Sequence, residues 1–299
     1  MATNQWTDLT LDYIERSREG YLAQARKFQR AVSDKIINEW IPELQTLEGE
    51  LLNNNSNIRS VGRLNRLATQ VSQLQGEELA NWYISRLTRL SYYAQGYFST
   101  VVEGVQLNLQ KVIQDNTSKL LFRFGFDGEK FVRNGFIYDL VQANEPLRRI
   151  KAEAFKAISS GESFKGFQDK MRIFVNGQVG ANKGVYEGYF RTAAFDSFQQ
   201  FDRELANQTA IELGLNYGIY EGGKVKDTRN FCMERMGQVF SREEMLEWVN
   251  LDWAGKNSPY SPIQDLGGYN CRHKIEWITN RAARLLGRSD AIGTNQRIG

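Results

Sequence analysis

Cysteine, histidine and proline are what this 299-residue chain has least of, with two, one and four copies. Each scarcity removes a class of protein. Two cysteines are too few for a disulfide scaffold, and such usage points to synthesis in a reducing cytoplasm. A single histidine leaves no HExxH zinc-protease helix and no paired-histidine nuclease centre. There is no GxxxxGK[ST] phosphate loop and no GxSxG elbow. No apolar run approaches the roughly 20 residues that span a bilayer, so no membrane anchor is expected. The opening MATNQWTDLTLDYIERSREG lacks the basic-then-apolar order of a secretory signal. A net charge of +3 is too small to demand a nucleic-acid partner or to exclude one.

What is present is helical. The prolines, Pro42, Pro146, Pro259 and Pro262, leave long stretches free of helix breakers. Leu22, Ala25, Phe28, Val32 and Ile36 recur at spacings of three and four, which places them on one helix face. After the polar break NNNSN (53–57) the pattern returns in Val61, Leu64, Ala68 and Val71. It continues through Leu79, Tyr83, Leu87, Leu90 and Ala94, then Phe98, Val101, Val105, Leu109 and Val112. These stripes predict long N-terminal helices packed as a hairpin or bundle. LLFRFGFDGEKFVRNGFIYDL, broken by Gly125, Gly128 and Gly135, reads as an irregular aromatic-rich loop. Helical spacing resumes from Leu147 to Ile158, stops at Gly161, and returns in Phe164, Phe167, Met171 and Phe174. Gly177, Gly180 and Gly184 mark a linker.

The run from Gly184 to Gly214 reads as one more helix with a glycine stop. Beyond it the texture changes. NYGIYEGGKV alternates like a strand, GQVF reads as a second and KIEWI as a third. Between them Ser241, with Glu244 three residues on, forms a capping box that opens a helix. The expected fold is therefore mainly α with a small α+β module and a short antiparallel sheet near the C-terminus. The division falls near residue 145, giving a helical 1–144 and a second region 145–299.

Candidate chemistry gathers late in the chain. Cys232, Cys271 and His273 are ligand types that zinc favours, and Asp227 can supply a fourth. A structural zinc ion is one reading; buried thiols in contact, with His273 bonded to the backbone, is the other, and a disulfide is a third. A Cys-His hydrolase dyad is disfavoured, because Cys271 and His273 lie two apart and face one side of a strand. Asp227, Thr228 and Arg229 read as a turn whose arginine can fork onto an acceptor. DLGG before Cys271 reads as a turn and not a phosphate cradle. Arg281, Arg284 and Arg288 share a helical spacing and are the candidates for contact with double-stranded DNA.

Four pieces in order resemble the phage Mu F-like minor head proteins, the head morphogenesis family: FRTAAFDSF, YGIYEGGKVKDTRNFC, GQVFSREEMLEW and PIQDLGGYNCRH. The shared features fall on Arg191, Thr192, Asp227, Arg229, Gly237, Asp265, Asn270 and Arg272, and the resemblance spans roughly 145–280. Two departures are visible. Many members close with His-Pro-x-Cys-Arg-Cys, where this chain has Gly268 to His273, and many read Arg-Thr-Glu where it has Arg191-Thr192-Ala193. The resemblance implies a non-enzymatic minor head protein, made in the bacterial cytoplasm and carried in the virion in several copies. Its implied place is the portal vertex or inner capsid, with the portal protein and other head proteins as partners. Its implied work is head assembly and genome packaging or ejection. A DNA-binding role or a toxin- or nuclease-like effector role is the alternative.

Overall fold

The computed structural model describes residues 5–35, 76–102, 106–132, 136, 148–150, 152, 153, 156, 164–178 and 184–291. Val61, Leu64, Ala68 and Val71 lie outside them, as do Ile36, Val105, Gly135, Leu147, Gly161 and Gly180. The side chains of Ala25, Phe28, Val32, Leu79, Phe164 and Phe167 are likewise outside the description. The protein is mainly helical, with one three-stranded antiparallel sheet near the C-terminus. The long helices are α1 (Gln5–Lys35), α2 (Gly76–Val101), α3 (Gln106–Arg123), α4 (Phe164–Asn176) and α5 (Val185–Glu212). Among the described residues no helix is long and apolar enough to cross a membrane.

Two compact units draw on non-consecutive chain: 1–17, 85–123 and 195–299 form one, 18–84 and 124–194 the other. They do not follow the boundary read at residue 145. The reason is long-range packing that no local composition change announces. In the first unit the Tyr97 hydroxyl of α2 donates to the Trp277 carbonyl at 2.8 Å, and Arg123 of α3 lies 3.6 Å from Glu204 of α5. Trp6 meets Tyr92 edge-on, and the Tyr13 hydroxyl donates to the Arg86 carbonyl, so these stretches of α1 and α2 run antiparallel. The predicted stripe is the buried face: Leu87, Leu90, Ala94 and Phe98 are buried, as is Leu109. In the second unit Tyr21 packs on Trp82 and Tyr83, and Met171 is buried on α4. The aromatic segment departs from its expected loop, because α3 continues helically through Arg123. Only then does it turn, with a bridge between Phe126 and Phe131 whose rings sit 5.5 Å apart.

Helix α5 ends at the predicted glycine. Gly214 adopts φ 67°, and the Leu215 amide donates back to the Ala210 carbonyl at 2.8 Å, closing the last turn as left-handed glycine caps do. The chain then enters the sheet, ordered β2-β1-β3, with β1 (Tyr217–Glu221) central, β2 (Val239–Ser241) and β3 (Lys274–Ile278). Register pairs Tyr217 with Ser241 on one side and with Ile278 on the other. Alternation puts Tyr217, Ile219, Val239 and Ile278 on one face, where Ala283 and Ala291 pack. Gly218, Tyr220, Phe240, Ile275 and Trp277 take the other face. A Cβ on Gly218 would collide with the Ile275 side chain and press on the Met245 methyl at 3.3 Å.

The remaining elements are short: α6 (Asn230–Met233), α7 (Arg242–Leu246) leading into a 3-10 turn (Glu247–Asn250), α8 (Pro262–Asp265) and α9 (Asn280–Leu285). The capping box read from the sequence opens α7. The Ser241 side chain accepts from the Glu244 amide, and the Glu244 carboxylate accepts from the Ser241 amide at 2.7 Å. Removing the hydroxyl in Ser241→Ala should lower stability by about 1 kcal/mol in urea unfolding, with an unchanged m-value. Glu244→Ala should cost more, because the same carboxylate also holds Arg288 at 2.6 Å. Equal effects of the two substitutions would show that the Arg288 link contributes nothing.

Candidate functional site

Helix α5 carries the residues that assemble the site. From Phe201 to Asn207 every residue is buried, as expected of a helix enclosed on all sides and not of one with a single apolar stripe. Charged groups on such a helix must be paired or hydrogen-bonded. Arg203, 4% exposed, meets that demand with backbone carbonyls. Its Nε donates to His273 at 2.9 Å, Nη1 to Gln264 at 2.7 Å, and Nη2 to Cys271 and His273, both at 2.7 Å. One guanidinium thus sets the path of the chain from α8 to the start of β3.

Other polar side chains do the same for neighbouring turns. Asp265, buried at the end of α8, accepts from Gln200 Nε2, Asn257 Nδ2 and the Ser261 amide at 2.7–2.8 Å. The Asn270 amide, at φ 56°, donates to Asp196 of α5 at 2.7 Å. Burial raises the Asp196 carboxyl above its ordinary value, with the Asn270 hydrogen bond opposing that shift. Arg229 donates from Nε to the Ala254 carbonyl at 3.1 Å and from Nη2 to the Tyr269 carbonyl at 2.7 Å. A Cβ on Gly255 would sit 2.5 Å from Arg229 Nε, so that position must be glycine for the fork to close. Thr228 folds its own loop by accepting from the Val225 amide at 2.7 Å. Gly237, at φ 74°, makes the turn into β2. Arg272 reaches Glu15 at 3.5 Å, with both side chains partly exposed.

Cys232, on α6, and Cys271 and His273, before β3, converge at the centre of this frame. Their ligand atoms all lie within 4.8 Å of one another, and all three residues are buried. The Tyr220 hydroxyl donates to Cys232 Sγ at 3.2 Å, and the Gly267 amide to Cys271 Sγ at 3.3 Å. Cys271 Sγ stands 3.6 Å from His273 Nδ1, while the buried Nε2 of His273 has no hydrogen-bond partner among the described residues. Gly267 is required by space alone, since a Cβ there would strike Cys232 Sγ and lie 3.2 Å from Cys271 Sγ. Both thiols are free.

The two thiols are shifted in opposite directions. Burial opposes the charged form of Cys271. The hydrogen bond from Cys232, the Arg203 guanidinium and His273 outweigh it and hold its thiol well below the usual range. Cys232 moves upward, first because it donates to Cys271 and then because it is buried.

Aromatic rings enclose the thiols. Tyr220 stacks obliquely on His273 at 5.2 Å, and Trp248 and Phe231 meet Tyr220 edge-on. Trp253 stacks on Phe231 at 4.0 Å and donates Nε1 to the Gly267 carbonyl at 3.0 Å. On the open side the three ligand residues border a cavity of about 430 Å3, shared with Asp227, Arg229 and Arg272.

The sequence reading missed Arg203, Asp196, Tyr220 and the Trp248–Trp253 pair. For the aromatics a signal existed in EWVNLDWAGKNSPY, a dense aromatic run in a segment with no stripe of its own. Two expectations need correction. Asp227 lines the cavity but is exposed, and its carboxylate stays outside the ligand cluster. The Val225–Thr228 turn and the Arg229 fork hold its loop away. Arg288 is not a helical neighbour of Arg281 and Arg284, because α9 stops at Leu285 and Gly287 turns at φ 96°. It binds Asp290 at 2.6 and 2.9 Å, Glu244 at 2.6 Å and the Val239 carbonyl at 2.9 Å. Its charge is thereby neutralised, and the Asp290 carboxyl is held down to about 2, chiefly by the Arg288 hydrogen bond. Arg281 and Arg284 are exposed. Arg191 and Thr192 lie on α5, with side chains outside the described residues.

No family model, no curated protein and no solved structure matches this chain.

Proposed function

We propose that the chain is a non-enzymatic minor structural protein of a tailed-phage head. Its place is the portal vertex or inner capsid, and it acts in head morphogenesis and in genome packaging or delivery. What supports the reading is the ordered motif set that resembles the Mu F-like head proteins, together with one observation on how those motifs are used. Asp196 of FRTAAFDSF holds the Asn270 amide of the closing turn. Arg229 of the Asp-x-Arg turn holds the Tyr269 carbonyl. Asp265 of DLGG holds α5 through Gln200. These three polar side chains are directed at protein, as a docking module that must keep its shape during assembly requires. In this role the portal protein and neighbouring head proteins are the partners, and double-stranded DNA is the cargo.

Mass spectrometry of gradient-purified particles tests the proposal. The expected result is this chain in the particle at low copy number beside the portal protein. A chain present in the infected cell but missing from purified particles overturns it.

A further inference from the structure

We infer that Cys232, Cys271 and His273 form a zinc site with a fourth position open to the adjoining cavity. The geometry carries this. Tetrahedral zinc, with bonds of roughly 2.3 Å to sulfur and 2.0–2.1 Å to imidazole nitrogen, places a sulfur and a nitrogen ligand about 3.5 Å apart and two sulfurs about 3.8 Å apart. Cys271 Sγ and His273 Nδ1 stand 3.6 Å apart, and the whole donor set fits within 4.8 Å. The donors are soft, as zinc favours over magnesium or calcium. All three border the cavity, which is the path by which an ion and a water ligand enter.

The surroundings fit the same chemistry. Tyr220 already directs a hydroxyl at Cys232 Sγ, the outer-shell hydrogen bond that tunes a thiolate ligand. The Gly267 amide does this for Cys271 Sγ. Arg203 holds the carbonyls of Cys271 and His273, so both ligands are oriented before any ion arrives. Among the described residues the imidazole lacks the acceptor on its second nitrogen that most zinc histidines have. With only three protein ligands as well, the site exchanges its metal with a chelator. The ion would tie α6 to the entry of β3.

Cobalt substitution of the full chain tests the site. The chain is purified under reductant, its two thiols are confirmed by titration after unfolding, and Co2+ is added stepwise. Expected are saturation at about one ion per chain, tetrahedral d–d bands and thiolate-to-cobalt charge transfer, all abolished by added Zn2+. Cys271→Ser should remove most of the charge transfer. Tyr220→Phe keeps every ligand and should weaken binding about 10-fold, which a change confined to folding would not do at unaltered stoichiometry. Asp227→Ala should leave the spectrum unchanged. An octahedral spectrum without charge transfer in the wild-type chain overturns the site, and so does a Cys271→Ser spectrum equal to that of the wild type. A spectrum lost in Asp227→Ala overturns the open fourth position.

Discussion

Replacing Arg203 with alanine is expected to lower the unfolding free energy by about 3–5 kcal/mol, a large part of the 5–15 kcal/mol typical of a folded domain. The side chain donates to the carbonyls of Gln264, Cys271 and His273 from a buried position. Alanine leaves those acceptors with neither donor nor water, and each orphaned buried group costs about 1–3 kcal/mol. The costs overlap because the freed segment relaxes as one piece. Lysine keeps the charge but not the fork, and should recover under half of the loss. Urea unfolding of the full chain, followed by tryptophan fluorescence, measures both variants. Native thiol reactivity gives an independent reading, since the Cys271 backbone is one of the anchors and its sulfur should become accessible. A loss below about 1 kcal/mol for Arg203→Ala would show that the carbonyls find water instead.

The second large effect concerns Asp202 and Lys274. Their side chains are 3% and 8% exposed, and Lys274 Nζ lies 3.1 Å from Asp202 Oδ2. Two charges taken out of water contribute little net stability as a pair, but removing one strands the other. Lys274→Met and Asp202→Leu are each expected to cost about 3–5 kcal/mol in chemical denaturation, and the double substitution should restore most of it. A double variant as unstable as the sum of the singles would mean the two residues act separately. Both outcomes are read from one double-mutant cycle.

Arg203 and Asp202 also show where reading a sequence stops. Leu87, Leu90, Ala94 and Phe98 repeat at helical spacing and do face the core, because periodicity is a local property that burial reads directly. KIEWI forms β3 from Lys274 to Ile278, and the Ser241–Glu244 capping box is present. Phe201 to Asn207 has no such period. Enclosed on all sides, it mixes Asp202, Arg203 and Glu204 with Phe201 and Leu205, and nothing in its order announces which charges are buried. Asp227 fails for a related reason. Proximity in sequence to Cys232 made it a plausible ligand, yet the turn closed by Thr228 and Arg229 sends its carboxylate outward.

By itself the sequence determined the helical character of α1, α2, α4 and α5, the three strands, the glycine stop at Gly214 and the gathering of Cys232, Cys271 and His273 as candidates for one cluster, since spacing, capping and turn chemistry act over a few residues. Tertiary structure alone decided that residues 85–123 belong with the C-terminal sheet, that Arg203 shapes the cluster and that Arg288 is tied to Asp290 and Glu244. Those outcomes depend on groups up to 180 positions apart, as in the Tyr97–Trp277 bond, and a buried donor's choice of partner is made only when the packed chain has excluded water.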